Sequence, residues 1–255
     1  MIAPHFRKAL LRLTFWLAAP IAVASFGGCA TVATDDARSQ AERYQTVIAS
    51  PVRTEQDQRL DASRHPAEFL PFTQVRPGMR VLDVSAGAGY TSQLLALAVG
   101  PSGMVWAQAP NPGAALQKRM ADHPQANLVV VARPFDDPVP VEATNLDLIT
   151  IVLNYHDISY LPVDRAKMNQ KLYAALKPGG RLVVIDHSAL KGTGISAGKT
   201  LHRIDEDVVL TEVKQAGFVV DAEGGFLRNP ADARTESSNQ PKVPTDKFAL
   251  RFVKP

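Results

Sequence analysis

The stretch Val81-Leu82-Asp83-Val84-Ser85-Ala86-Gly87-Ala88-Gly89-Tyr90 constrains this chain more than any other. A short apolar run carrying one acid breaks into a turn of small residues, and Thr91 to Val99 then follows as a helix. Strand, glycine-spaced turn and helix form a cradle whose backbone a ligand can approach closely. The D-x-S-x-G-x-G spacing differs from the G-x-G-x-x-G dinucleotide fingerprint, and no Lys-Ser/Thr pair follows, so the phosphate-gripping loops fit poorly.

The alternation continues downstream. Met104 to Ala107 reads as a second strand ending at Gln108, and Asn111-Pro112 supply an N-cap and first-turn proline for a helix through Met120. Leu128 to Val131 reads as a third strand, closed by Arg133-Pro134-Phe135-Asp136-Asp137. This β-α-β-α-β order argues for a parallel, doubly wound sheet with ligands at the carboxyl ends of its strands. Leu146 to Leu153 reads as a central strand buried on both faces, delivering Asn154-Tyr155-His156-Asp157 to that edge. Asp164 to Leu176 is an amphipathic helix ended by Lys177-Pro178-Gly179-Gly180, and the strand Arg181 to Ile185 delivers Asp186-His187-Ser188. Lys191 to Lys199 reads as a mobile, glycine-containing loop, Asp205 as the cap of a helix through Gln215, and Phe218 to Ala222 and Phe248 to Val253 as a final strand pair separated by a loop over 229–246.

The N-terminal end has a different character. Arg7, Lys8 and Arg12 precede the apolar stretch Leu13 to Ala24, and Ser25-Phe26-Gly27-Gly28-Cys29 follows, which reads as a secretory signal over 1–29. The lone cysteine directly after two glycines resembles a bacterial lipobox, with Cys29 the lipidated residue; cleavage after Ala30 or Ala33, or an uncleaved anchor, are the alternatives. Thr31 to Ala37 reads as a tether, Ala37 to Ala49 as a helix, and residues up to 73 as further lead-in helices, which leaves one core domain over 74–255. Of the 28 Lys and Arg, three lie in the leader and no acid does, so the remainder balances 25 bases against 25 acids and offers no nucleic-acid surface. A single cysteine also excludes an internal disulfide and a thiolate zinc site.

The order of elements resembles that of class I S-adenosylmethionine-dependent methyltransferases over roughly Gln74 to Val253. Asp83, Gly87 and Gly89 match the family's first motif, with Ser85 in place of its first glycine, and the K-P-G-G-x-h-h-h-x-D element at Lys177 to Asp186 matches further down. The resemblance implies an α/β Rossmann-like fold: a seven-stranded, mostly parallel sheet with an antiparallel last strand and helices on both faces. It implies S-adenosylmethionine as cofactor, its methionine part held by Asp83, Ser85, Gly87, Gly89 and Tyr90. Serine serves at position 85 where no positive φ is needed. Gln108 stands where the family places an acid for the ribose hydroxyls; Asp136 and Phe135 match the adenine contacts, and Asn154 faces the transferred methyl. The Tyr155-His156-Asp157 and Leu201-His202-Arg203-Ile204-Asp205 strings, with Leu227-Arg228-Asn229-Pro230, resemble a group of bacterial methyltransferases bearing signal sequences.

Methyl transfer needs proximity, a dry pocket and a base where the acceptor must lose a proton. His156 is the leading base, Asp157 its orienter, Tyr155 a wall or donor, and His187 a second polar group from the adjacent strand end. Arg203 and Arg228 are candidates for an anionic part of a small-molecule substrate. His156, Asp157, Asp186, His187 and His202 show no metal-ligand spacing, so no metal is expected; convergent histidines in the fold would favour a metal-dependent enzyme on the same scaffold instead. The other rival is a non-catalytic envelope module retaining a small-molecule pocket.

Overall fold

The computed structural model describes Met1 and residues 29–255, with side chains from residue 38 onward. The secretory signal, save its first residue and Cys29, lies outside the described residues. The chain divides into two units, Met1–Arg38 and Ser39–Pro255, and the sheet and site belong to the second.

The elements run α1 (Cys29–Ile48), α2 (Glu55–Arg64), α3 (Pro66–Thr73), β1 (Arg80–Val84), α4 (Tyr90–Val99), β2 (Met104–Ala109), α5 (Ala114–Asp122), β3 (Leu128–Ala132), β4 (Leu146–Val152), α6 (Tyr155–Tyr160), α7 (Arg165–Ala175), β5 (Leu176–His187), α8 (Gly198–Leu201), α9 (Glu206–Gln215), β6 (Val219–Gly224) and β7 (Lys247–Val253). Helix α1 already begins at Cys29, so the helix expected from Ala37 extends back through residues 31–37. No glycine or proline interrupts residues 29–49, and Ser50-Pro51 are the first breakers. The cap of α5 is Gly113, not Asn111, which moves the helix start past Pro112.

The sheet has the order β3-β2-β1-β4-β5-β7-β6. Strands β1 to β5 are parallel, and β7 runs antiparallel to both β5 and β6. The reversal between β1 and β4 places the carboxyl ends of these two strands side by side, the position where such sheets bind ligands. Apolar side chains alternate to both faces: Leu82, Ile149, Ile151, Leu182 and Phe252 feed one core, while Val81, Leu148, Val183, Ile185 and Leu95 feed the other. Burial on both faces is what a continuous apolar run such as Leu146–Val152 requires.

The 229–246 loop is knitted into the fold. Arg203, fully buried, ion-pairs with Asp232 at 2.8 Å, Arg234 pairs with Asp246 at 2.9 Å, and the Asn229 amide donates to Asp246. The glycine-containing segment at 191–199 is also pinned, because the amide of Gly192 donates to the Asp205 carboxylate that also caps α9, and its end winds into α8.

Candidate functional site

The turn after β1 departs from an ordinary strand-to-helix connection in its backbone. Ser85 takes φ +61°, Gly87 +57° and Gly89 +84°. Position 85 therefore does need the left-handed conformation, contrary to the expectation for a serine, and costs about 1–2 kcal/mol there. Gln108 holds it: its Oε1 accepts the Ser85 amide at 2.9 Å, its Nε2 donates to the Arg133 carbonyl at 2.6 Å, and the side chain is fully buried. Gln108 is thus a strut between the turn and the end of β3, with both ends of its amide engaged, and presents neither to a ribose.

At Gly89 a Cβ would meet the Arg119 and Leu116 side chains at 2.8 Å, whereas at Gly87 it would meet nothing within 4 Å. Gly89 is needed for packing and Gly87 faces open space. The amides of Gly87 and Ala88 make no hydrogen bond to any described residue. They lie just before α4, where amide donors and the helix dipole favour an anion.

Ser85, Gly87, Ala88, Tyr90, Leu153 and Asn154 line the cavity above this turn, and Leu60 and Arg64 of α2 close it from outside. Helix α2 is fastened there by a bidentate Asp57–Arg119 pair (2.7 and 2.8 Å), with Arg119 also donating to the Ala88 carbonyl. The Tyr90 hydroxyl donates to Asp61, itself paired with Arg53. Arg64 differs from these partners. Its guanidinium stacks over Tyr90 at 5.8 Å but makes no hydrogen bond or ion pair with any described residue, and burial pulls its pKa down. A desolvated guanidinium without an acceptor is poised for an anionic ligand. Nothing in the local sequence of α2 marks Arg64 or Leu60 out, since both read as ordinary members of a charged helix.

Asp83 borders the same cavity, yet both carboxylate oxygens are occupied, by Ser92 Oγ at 2.5 Å and Thr150 Oγ1 at 2.7 Å. Burial raises its pKa to about 6 against the lowering by these hydroxyls and Arg64. Asn154 has a buried Oδ1 with no partner, an orphaned acceptor beside the cradle. Leu153 just before it is held at φ +55°, its amide tied to the Ile185 carbonyl at 2.7 Å. Strain in a non-glycine residue at both rims of one cavity is a mark of a working site.

The carboxyl ends of β4 and β5 bring together the polar cluster expected from the sequence. His156 is buried; its Nδ1 lies 2.6 Å from Asp186 Oδ1, and its Nε2 lies 3.2 Å from Asp157 Oδ1. His202 Nδ1 lies 2.9 Å from the same Asp157 oxygen. His187 packs edge-on to His156 at 5.9 Å and bonds Thr245. His202 arrives because Gly198 lets α8 press on α6: a Cβ there would meet the His156 carbonyl and Ser159 Oγ at 2.9 Å.

Electrostatics separates the imidazoles. Burial alone would lower the His156 pKa, but Asp186 and Asp157 outweigh it and raise it to about 9. His156 is therefore already protonated at neutral pH and is no free base as it stands. Asp157 is held at about 2, burial notwithstanding, by His156, Tyr160 and His202. His187 is lowered to about 2 by burial and by the surrounding cations Lys247, His156, Arg203 and Arg64, which keeps it neutral.

Other expected site residues lie elsewhere. Tyr155 turns into the core, its hydroxyl between Glu212 (2.8 Å) and Asn169 (2.8 Å), so it braces α7 against α9 instead of walling the site. Arg203 is consumed by Asp232 and by the carbonyls of Ser188 and Glu236. Arg228 Nη2 donates to both Glu206 oxygens at 2.6 and 2.7 Å, and its Nη1 to Ser188 Oγ at 3.3 Å. Arg203 has no guanidinium edge to spare for substrate. Asp136 pairs with Lys167 at 3.0 Å, and Phe135 packs on the core, both away from the cradle lining.

A glycine-spaced turn after the first strand of such a sheet, with a cavity at the strand-order reversal, defines a Rossmann-like fold, the class of sheet in which nucleotide-type cofactors bind at this position. Comparisons with known proteins narrow the class. The family model for protein-L-isoaspartate(D-aspartate) O-methyltransferase matches residues 35–123, the part that holds α2 and the cradle. Aclacinomycin 10-hydroxylase RdmB of Streptomyces purpurascens is 32% identical over 193 residues, 74% of this chain and 48% of that protein. The ubiquinone/menaquinone biosynthesis C-methyltransferase UbiE of Burkholderia multivorans is 30% identical over 117 residues, 45% of each chain. The chain thus spans about half the length of the curated relatives it matches. A crystal structure of a SAM-dependent methyltransferase from Aquifex aeolicus shares the fold with a TM-score of 0.55 at 20% identity, over 78% of this chain and 97% of that one. The chain is thus similar in sequence over the cradle to methyltransferases and shares the fold of a SAM-dependent methyltransferase.

Proposed function

We propose that this protein is an S-adenosylmethionine-dependent methyltransferase acting on a small-molecule acceptor. The observation that carries the reading is the cradle itself: amides at Gly87 and Ala88, an Asn154 Oδ1 and an Arg64 guanidinium that have no hydrogen-bond partner among the described residues, all around one cavity. These donors and acceptors suit an amino-acid moiety, whose ammonium finds Asn154 Oδ1 and the charge of Asp83, and whose carboxylate finds the amides and Arg64. When bound, the cofactor supplies an electrophilic methyl group on a sulfonium.

The protein's own contribution is positional. Gln108 fixes the turn, the Asp57–Arg119 pair fixes α2 over it, and Leu153 and Tyr90 exclude water from the cavity wall. Asn154 touches both the cradle and Asp157, to which its Nδ2 donates at 3.4 Å, so the acceptor end is the His156–Asp157–His202 cluster. Small-molecule acceptors fit the relatives named UbiE and RdmB, and the hydroxylase among them is the reason to follow the methyl group itself in an assay. Calorimetric titration with S-adenosylmethionine will give saturable binding, weakened by Asp83→Ala; no binding would overturn the reading.

Export, with lipidation at Cys29, is part of the same proposal. It is supported by Arg7, Lys8 and Arg12 ahead of the apolar Leu13 to Ala24 segment and by the glycine pair before the cysteine. A fusion of residues 1–35 to a compartment-sensitive reporter tests it: activity only in the envelope is expected, and cytoplasmic activity refutes it.

A further inference from the structure

We propose that His156, Asp157 and His202 form a binding site for one divalent first-row transition cation. The ligand atoms of the three residues all lie within 4.8 Å of one another. Asp157 Oδ1 is the centre of the group, 3.2 Å from His156 Nε2 and 2.9 Å from His202 Nδ1. Metal–ligand bonds of about 2.0–2.1 Å in tetrahedral geometry put ligand atoms about 3.3 Å apart; the two Asp157 contacts are within a few tenths of an ångström of that, and the two imidazoles, whose ligand atoms lie within 4.8 Å, draw together around the ion.

A supporting shell already stands behind the cluster. His156 presents Nε2 because its Nδ1 faces Asp186 Oδ1 at 2.6 Å, and Asp186 is itself fixed by accepting the His156 and His187 amides at 2.8 and 2.7 Å. A buried carboxylate behind an imidazole is how metal-binding histidines are commonly oriented and made more basic. The two carboxylates, Asp157 and Asp186, balance a divalent charge when both imidazoles are neutral. Burial is graded across the site: His156 is 3% exposed, while the side chains of Asp157 and His202 keep 32% and 28%, which leaves an entry path and room for an outside ligand. Two imidazoles and one carboxylate with open positions suit Zn²⁺ or Fe²⁺ better than Mg²⁺ or Ca²⁺, which prefer oxygen.

Backbone investment points the same way. His202 is held at φ +50°, and Gly198 permits an approach of α8 to α6 that any side chain would block. The sequence separates His202 from His156 by helix α7, the whole of strand β5 and a loop, which is why no ligand spacing is visible in it. The cation site stands independently of the methyl-transfer reading.

Titration of the chelator-treated full chain with Co²⁺ tests the assignment. One equivalent is expected to raise visible d–d absorption, displaced by Zn²⁺, and lost in both His202→Ala and Asp157→Asn, with His123→Ala, at the end of α5 and outside the cluster, unchanged. Asp186→Asn is expected to weaken binding about 10–100-fold. Far-UV circular dichroism confirms folding of each variant, and either ligand variant alone suffices if the other does not fold. Absence of stoichiometric binding, or binding that survives His202→Ala and Asp157→Asn, overturns the site and leaves the cluster a hydrogen-bond network closed by protons.

Discussion

Replacing Gln108 with glutamate separates two roles for this position. A ribose-binding residue at the end of β2 gains from the charge, because an ionised acceptor makes stronger hydrogen bonds to hydroxyls. A strut loses. The carboxylate still accepts the Ser85 amide but cannot donate to the Arg133 carbonyl, now 2.6 Å from the amide nitrogen it would replace. The orphaned carbonyl costs about 1–3 kcal/mol, and a carboxylate at a fully buried position adds more, so about 2–4 kcal/mol is expected at neutral pH. For a chain of this size that lowers Tm by about 4–16 °C. The sign with pH follows from burial: the introduced carboxyl has a folded pKa above its unfolded value of about 4.3, so the deficit is small below that pH and grows as pH rises through the folded value. Thermal denaturation at pH 5 and pH 8, with calorimetry of S-adenosylmethionine binding, reads both effects. An unchanged Tm together with tighter cofactor binding would refute the strut.

Three further outcomes are expected. Ser85→Gly relieves the left-handed serine and should stabilise the protein by about 1 kcal/mol in urea denaturation; a loss would mean that the serine side chain outweighs its backbone strain. In the metal-free protein, the raised His156 pKa contributes stability that is full below about 6.5 and lost as pH rises through about 9, so the urea midpoint should fall from pH 7 to pH 9, and His156→Gln should flatten that fall. Arg64→Met should lower the affinity for S-adenosylhomocysteine about 10-fold or more, as loss of a charge-assisted hydrogen bond predicts, and leave 5′-methylthioadenosine, which lacks the carboxylate, unaffected; equal losses for both would place Arg64 elsewhere in the site.

Elements whose cause is local were legible in the sequence. The buried strand Leu146–Val152, the glycine turn at 85–89, the Asp205 cap, and the delivery of His156, Asp157 and His187 to one edge follow from apolar periodicity, capping chemistry and the rule that parallel sheets bind at their carboxyl ends. Partner choice was not legible. Tyr155 and His156 are neighbours in the chain, but a helix sends adjacent side chains in different directions, so one braces the core and the other enters the site. Arg203 and Arg228 read as free cations until Asp232 and Glu206 are folded against them.

The sequence by itself determined the parallel sheet, the cradle after β1 and the strand ends on which chemistry can sit, because each depends on patterns within a few residues. Only the tertiary structure decided what fills and guards that cradle. Arg64 of α2, the Gln108 strut and the meeting of His202 with Asp157 all depend on contacts between segments about 23–45 residues or more apart, specified by packing and hydrogen-bond satisfaction across the sheet and not by any local run of residues.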